Sequence, residues 1–236
     1  AAGLLGLGSS WAAQAAGDWA FSAQFFIIAA PHGSGKTTFL QQCATAFRAK
    51  GLRVGGVLAP SGGENGRRQL VLLQSSPQEP LALQLNDGRP GDGGGSGSPS
   101  EPTGETVPEG AIQVGNFIFD EAVFAKARAE LRGLAGDERG SGPAPCDWVL
   151  VDEIGPLELN RGQGLEPAVG ELLRAGARGE LGPPQSRFLI IVRPSLRDTV
   201  VQTYGLDGTG CAAADDDGEG MFPGFGGPEA RAAAVV

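Results

Sequence analysis

The sequence contains little cysteine and almost no histidine. Its 236 residues include three cysteines, Cys43, Cys146 and Cys211, which lie far apart and form no C-x-x-C pair. This scarcity argues against a disulfide framework and against a zinc site, and it indicates reduced thiols in a reducing compartment. The single histidine, His32, has no second histidine with which to build a metal site.

Positive charge is also scarce. Lys and Arg total 18 against 27 Asp and Glu, which leaves a net charge of −9. Tight nonspecific binding to nucleic acid or to an anionic membrane requires a basic face, so we expect neither. No apolar run is long enough to span a bilayer. With 41% hydrophobic residues, the chain suits one soluble α/β domain, which we expect to be a monomer, with a partner protein left open.

Three segments have compositions that cannot form a core. Residues 1–24 are rich in Ala, Gly and Ser, 86–110 in Gly, Ser, Pro and acid, and 208–236 in Gly, Ala and Asp. We predict a flexible N-terminal extension, a disordered insertion and a disordered C-terminal tail, with a single domain at 25–207. The first segment is either the remnant of a transit peptide or a variable extension, so the expected location is cytoplasmic or organellar.

Apolar runs alternate with helical patterns through the domain. Phe25–Ala30 is a continuous apolar run that predicts a buried strand. Residues 36–50 carry an apolar stripe at helical spacing, and Gly51 supplies the stop. This alternation predicts an α/β fold with a parallel or mixed sheet covered by helices on both faces.

Further elements follow from shorter signals. Asn65-Gly66 predicts a hairpin turn. The segment AIQVGNFIFD predicts one strand, and SLRDTVVQTYGL predicts a helix with Ser195 as its N-cap.

A glycine-rich loop between the first strand and the first helix predicts a phosphate site. Backbone N–H groups in such a loop cradle phosphate oxygens, and the helix N-terminus adds positive potential. Lys36 is placed to reach the β- and γ-phosphates, and Thr37 to offer its hydroxyl to Mg²⁺. The candidate nucleotide-binding residues are consecutive in the loop: Pro31, His32, Gly33, Ser34, Gly35, Lys36, Thr37 and Thr38.

Two positions in the loop leave alternatives open. The pattern G-x-x-x-x-G-K-[ST] has glycine where this chain has Ala30. If that position needs a positive φ, alanine strains the loop by roughly 1–2 kcal/mol, so we expect nucleotide binding to survive in weakened form. His32 either contacts phosphate or base, or is a solvated loop residue.

The stretch WVLVDEIG predicts the second half of the site. Four apolar residues precede Asp152 and Glu153, the pattern of a Walker B strand. Asp152 is expected to hold Mg²⁺, directly or through water. Glu153 is then placed beside the γ-phosphate, where it can orient or deprotonate an attacking water.

Positive charge for the transition state is the remaining requirement. Arg193 follows the apolar strand RFLIIV, and ligands of open α/β sheets bind at the carboxyl ends of strands. Its position makes Arg193 the candidate, although a surface or structural arginine would fit the same sequence pattern equally well. Arg67 and Arg68 sit beside the predicted hairpin turn, where they could reach a nucleotide, but a solvated hairpin edge is the better interpretation.

These motifs together resemble a known family. GSGKTTFL, GLRVGGVLAP, VLVDEIGPLEL and IIVRPSL occur in the order found in the thermophile-type nucleoside-triphosphatases, the family that includes the cancer-related nucleoside-triphosphatase. The resemblance covers about residues 25–206, apart from 86–110. It implies a three-layer P-loop domain with a RecA-like, mostly parallel sheet.

The implied activity is slow, Mg²⁺-dependent hydrolysis of ATP, GTP and other nucleoside triphosphates, with broad base tolerance. By this resemblance Lys36 and Thr37 are the phosphate and metal residues, Asp152 is the Walker B acid and Glu153 is the base. Two alternatives stay open: a P-loop kinase acting on a nucleotide or polynucleotide, and a nucleotide-dependent switch or adaptor. Ala30, the insertion and both extensions depart from the family pattern.

Overall fold

A computed structural model describes most of the predicted domain. The described residues are 24–29, 34–62, 66–74, 79–86, 107–135, 146–181, 186–206 and 212–214. Ala30, Pro31, His32 and Gly33 lie outside them, as do most of the predicted extensions and insertion. Among the helices of these ranges, none combines the length and the apolar character needed to cross a bilayer.

The strands of the described ranges form one large sheet and one hairpin. In chain order they are β1 (Phe25–Ala29), β2 (Val54–Leu58), β3 (Gln69–Leu72), β4 (Leu81–Ala82), β5 (Ala111–Val114), β6 (Phe117–Asp120), β7 (Trp148–Ile154), β8 (Arg187–Val192) and β9 (Ala212–Ala214). The large sheet has the order β4-β3-β2-β7-β8-β1-β9. Strands β2, β7, β8, β1 and β9 are parallel, whereas β3 and β4 add antiparallel pairs at one edge.

The helices of the described ranges connect these strands. They are α1 (Lys36–Ala49), α2 (Glu121–Leu134), α3 (Pro156–Arg161), α4 (Ala168–Ala177) and α5 (Arg197–Tyr204), with a 3-10 turn at Pro194–Leu196. The parallel strands are apolar throughout because both of their faces are covered. Every residue of β1 and β2 is buried.

Alternate residues of the central strands enter two separate cores. On one face, Phe39, Leu40 and Phe47 of α1 pack with Trp148 and Phe26. The Phe47 and Trp148 rings stack with centroids 4.6 Å apart. The opposite face packs against apolar residues of α2, α4 and α5. The molecule is therefore a mixed α/β domain with a mostly parallel central sheet, compatible with a three-layer arrangement.

Three local predictions differ from the structure. AIQVGNFIFD is not one strand: β5 and β6 form a hairpin, because Gly115 takes a left-handed φ of 59° and reverses the chain. Ser195 is not the N-cap of α5, which begins at Arg197 after the 3-10 turn and has no side-chain cap. The stretch CDWVLVDEIGPLEL, which its apolar run predicts to be one buried strand, instead ends as a strand at Ile154 and continues as α3 from Pro156.

The predicted tail contributes one short element to the sheet. Residues 212–214 form β9, which pairs in parallel with Phe26–Ile28 of β1. The rest of that segment, and residues 87–106 of the predicted insertion, lie outside the described residues.

Candidate active site

The start of α1 supplies the first wall of the site. Gly35 takes a left-handed φ of 86°, and its carbonyl accepts a hydrogen bond of 2.9 Å from the Phe39 amide. Glycine adopts this conformation without steric cost, so the chain can turn directly into the helix. The Lys36 ammonium lies 3.5 Å from the hydroxyl of Ser34. Lys36, Thr37 and the first N–H groups of α1 are thereby grouped at the helix N-terminus.

Asp152 of β7 meets the side chain of Thr37. The Thr37 hydroxyl donates a hydrogen bond to the buried Asp152 carboxyl, and the Ala59 amide at the end of β2 donates another of 3.1 Å. Burial raises the pKa of Asp152, and these two hydrogen bonds partly offset that rise.

The donor set at this point is an alcohol oxygen beside a carboxylate. Mg²⁺ prefers oxygen ligands, and it usually takes one or two protein groups and completes its shell with phosphates and water. Among the described residues no group of three or more His, Cys, Asp and Glu side chains forms a dedicated metal cage. Thr37 and Asp152 therefore fit a Mg²⁺ ion that takes its other ligands from outside the protein.

Glu153 has an unusual backbone. Its φ is 63°, and no other non-glycine residue in the described ranges has a positive φ. Between Val151 and Ile154 the pairing of β7 with β8 shifts register, as in a β-bulge. A left-handed residue costs about 1–2 kcal/mol, and such strain is characteristic of functional sites. The bulge turns consecutive acids toward the same region, although neighbours in a regular strand point to opposite faces.

Two arginines bind the Glu153 carboxylate. Nη1 of Arg68 donates to Oε2 at 3.0 Å, whereas Nε and Nη2 of Arg193 donate to Oε1 at 3.1 and 3.0 Å. Burial by itself would raise the pKa of Glu153, but the charges of Arg68 and Arg193 outweigh burial and hold that pKa below its usual value. Both carboxylate oxygens are therefore engaged in charge-assisted bonds.

These groups line one open cleft of about 430 Å³. Lys36, Arg68 and Arg193 provide positive charge, and Asp152 and Glu153 provide negative charge, within one concave surface. The remaining lining residues come from α1 and from the end of β2: Gly35, Thr37, Thr38, Gln41, Ala59, Pro60 and Ser61. Chemically, the cleft can neutralise an oligophosphate, hold a divalent cation and present a carboxylate to water.

The structure brings most of the predicted residues together. Gly35, Lys36, Thr37 and Thr38 from the loop lie in the same cleft as the two acids of β7 and Arg193. Ser34 contacts Lys36 behind them. The predicted binding residues Pro31, His32 and Gly33 lie outside the described residues.

Arg68 is the functional candidate that the sequence interpretation placed elsewhere. It was expected at a solvated hairpin edge, yet its guanidinium reaches the cleft and binds Glu153. It immediately precedes β3 and forms an isolated antiparallel bridge with Ser61. Sequence carries no signal for that contact, because 85 residues separate the partners.

The chain was compared with known proteins by sequence family, by curated sequence and by solved structure. No family model, curated protein or solved structure matches it.

Proposed function

We propose that this protein is a Mg²⁺-dependent nucleoside-triphosphatase that hydrolyses ATP, GTP and other nucleoside triphosphates to the diphosphate and phosphate. One observation carries the proposal: the Thr37 hydroxyl is hydrogen-bonded to Asp152, beside Lys36. The two motifs lie more than a hundred residues apart in the sequence, yet Thr37 and Asp152 are in contact. A nucleotide site requires the two motifs to be close together in space.

The fold supports the same proposal. A strand, a loop and a helix follow one another from β1 to α1, and β7 carries the acids with β8 between it and β1. Neighbouring strands are about 4.8 Å apart, so β7 lies roughly 10 Å from β1, which leaves room for phosphates between the loop and the acids. We include in the proposal a RecA-like P-loop domain of the thermophile-type nucleoside-triphosphatase kind.

In this proposal Lys36 and the N–H groups of α1 neutralise the phosphates, and Thr37 and Asp152 hold the metal. Bound Mg²⁺ supplies charge neutralisation on the phosphate oxygens. Arg193, once released from Glu153, is available to the charge that develops on the transferred group. No base-reading side chain is required, which agrees with broad base tolerance.

Glu153 accepts the proton of the attacking water. In the described state Arg193 takes both acceptor sites of Oε1 and Arg68 takes one of Oε2, so water reaches the carboxylate only at the remaining site of Oε2 or after an ion pair opens. A carboxylate with a lowered pKa is also a weak base. Both features predict slow turnover.

The test measures phosphate release from ATP and GTP with no acceptor present, with Mg²⁺ and with EDTA. We expect wild-type release only with Mg²⁺, loss of nucleotide binding in Lys36→Ala, and release slowed about 10²–10⁴-fold with binding retained in Glu153→Gln. Lys50→Ala is the matched control, since it removes the same charge at the exposed far end of α1.

Equal release by wild type and Lys36→Ala would reject the proposal. Nucleotide binding without release by folded wild type would instead point to the kinase or to the switch. An unchanged rate in Glu153→Gln would remove Glu153 as the base.

A further inference from the structure

A second cavity adjoins the cleft and has a different character. It holds about 150 Å³ and lies between the antiparallel edge of the sheet, the β5–β6 hairpin and helices α2 and α3. Its walls are mainly buried apolar side chains, among them Val57, Leu70, Leu83, Phe119, Phe124 and Leu157. None of these residues belongs to the proposed phosphate or metal site.

The cavity and the cleft share one wall. Arg68, Glu153 and Arg193 line both spaces, and so do Ala59 and Asp152. The ion pairs from Glu153 to the two arginines therefore form the partition between a polar compartment and an apolar one. A molecule seated in the cavity would contact the same guanidinium groups from the other side.

The size of the cavity indicates the size of its occupant. The cavity opens to solvent, and its volume of about 150 Å³ is large enough to hold a benzene ring. At the opening, the ring of Phe117 is 43% exposed and lines the cavity, where it can pack against an entering ring.

Two cationic and three acidic side chains line the cavity, and the cationic ones, which pair with Glu153, are the groups that can bind an anion at its polar end. Arg68 and Arg193 present their guanidiniums there, and planar guanidinium groups bind carboxylate and phosphate well. The third acid on the wall, Glu158, is already bound by the Gly155 and Leu165 amides at 3.0 and 3.2 Å. Burial also raises the pKa of Glu158 to about 7, so its negative charge at neutral pH is partial.

We propose that this cavity is a second ligand site that takes the ring of an aromatic anion, whose carboxylate or phosphate binds Arg68 and Arg193 in place of Glu153. The displaced Glu153 carboxylate is then free to face the cleft. There it can accept the proton of the attacking water. This effect on turnover rests on the proposed function, whereas the binding of the aromatic anion does not.

The binding test uses benzoate as the probe, with benzamide as the neutral ring and acetate as the anion without a ring. Chemical-shift titrations of the full chain report saturable binding. We expect a benzoate dissociation constant on the order of 1 mM, and at least about fivefold weaker binding of benzamide and acetate. Acetate that binds as well as benzoate would show an arginine site without a ring pocket, and absent benzoate saturation would overturn the proposal.

Two variants locate the ring. Phe117→Ala removes a side chain that lines the cavity, and Leu85→Ala removes one of similar exposure, 40%, that does not line it. We expect benzoate to bind about fivefold or more weakly to Phe117→Ala and within about twofold of wild type to Leu85→Ala. Equal affinities in the two variants would place benzoate elsewhere and reject the site.

A third variant tests displacement. Glu153→Gln removes the carboxylate that competes for the arginines, so we expect benzoate to bind several-fold more tightly than to wild type. Unchanged affinity would reject the exchange of ion pairs.

Nucleotide binding and phosphate release measured on the same samples separate the two proposals. Release without benzoate binding rejects only the cavity site, and benzoate binding without nucleotide binding rejects only the triphosphatase.

Discussion

Glu153 combines a strained backbone with ion pairs to two arginines. The left-handed φ of 63° has no support from the residue type, since glutamate has a Cβ that disfavours it. The bonds from Arg68 and Arg193 offset the strain by fixing the carboxylate at its position. Because both guanidiniums lower the pKa of Glu153, its ionisation depends on both arginines.

Removing one arginine is expected to change the ionisation of the glutamate. Arg68→Gln deletes the first of the positive charges that lower the pKa of Glu153, so that pKa rises toward its ordinary value. As the proposed base, Glu153 is active when ionised, so we expect the acid limb of the pH–rate profile for phosphate release to move to higher pH. Arg67→Gln loses the neighbouring guanidinium and is the control. Superimposable acid limbs in wild type and Arg68→Gln would contradict the assignment of Glu153 as the base whose pKa Arg68 lowers.

At the scale of elements, Glu158 connects α3 to the end of β7. Its Oε2 accepts from the Gly155 amide at the start of α3, and its Oε1 accepts from the Leu165 amide beyond the helix. Gly155 lies two residues after Glu153. The short helix therefore holds the strand exit in place, at the cost of a buried carboxyl whose pKa is raised from 4.5 to about 7.

This raised pKa predicts a pH dependence of stability. The folded protein binds the Glu158 proton more tightly than the unfolded chain, so the contribution is full below about pH 4.5 and is lost as pH rises through about 7. The shift corresponds to roughly 3 kcal/mol. We expect the wild-type free energy of unfolding, measured by urea denaturation, to fall between pH 5 and 7. In Glu158→Gln we expect no such fall. Glu171→Gln, at an exposed site on α4, is the control and should keep the wild-type slope. Equal slopes in wild type and Glu158→Gln would count against a neutral Glu158.

At the scale of the whole molecule, β2 approaches its neighbours closely enough to exclude side chains. A Cβ on Gly56 would lie 2.0 Å from the carbonyl oxygen of Leu150 in β7, and Gly56 has a φ of 111°. A Cβ on Gly55 would lie 2.5 Å from a methyl group of Leu134 in α2. This contact brings the end of β2 to β7, and the Ala59 amide thereby reaches Asp152.

A side chain placed between β2 and β7 is expected to destabilise the fold and the site together. Gly56→Ala combines a backbone clash with an unfavourable φ, so we expect the free energy of unfolding to fall by about 2–6 kcal/mol, measured by urea denaturation. Gly62→Ala is the control, because nothing lies within 4 Å of a Cβ there and no positive φ is required. A Gly56→Ala protein as stable as Gly62→Ala would contradict the close approach of β2 and β7.

The sequence by itself determined the local parts of this protein. The apolar runs of β1, β7 and β8 are long enough to specify buried strands, and the stripe of α1 specifies a helix after the loop. Lys36 and Thr37, and likewise Asp152 and Glu153, are neighbours in the chain, so each pair was predictable from its own motif. These features depend on patterns within a few neighbouring residues, so they can be recognised without knowing which distant residues pack against them.

Only the tertiary structure decided how these parts meet. Arg68 and Arg193 reach Glu153 across 85 and 40 residues of sequence, and the order of strands in the sheet sets those contacts. The left-handed backbone of Glu153 and the cavity beside it likewise arise from packing between β7, α3 and the sheet edge. A composition or a period cannot specify them, because the energy of each contact depends on which distant side chain the fold brings into range.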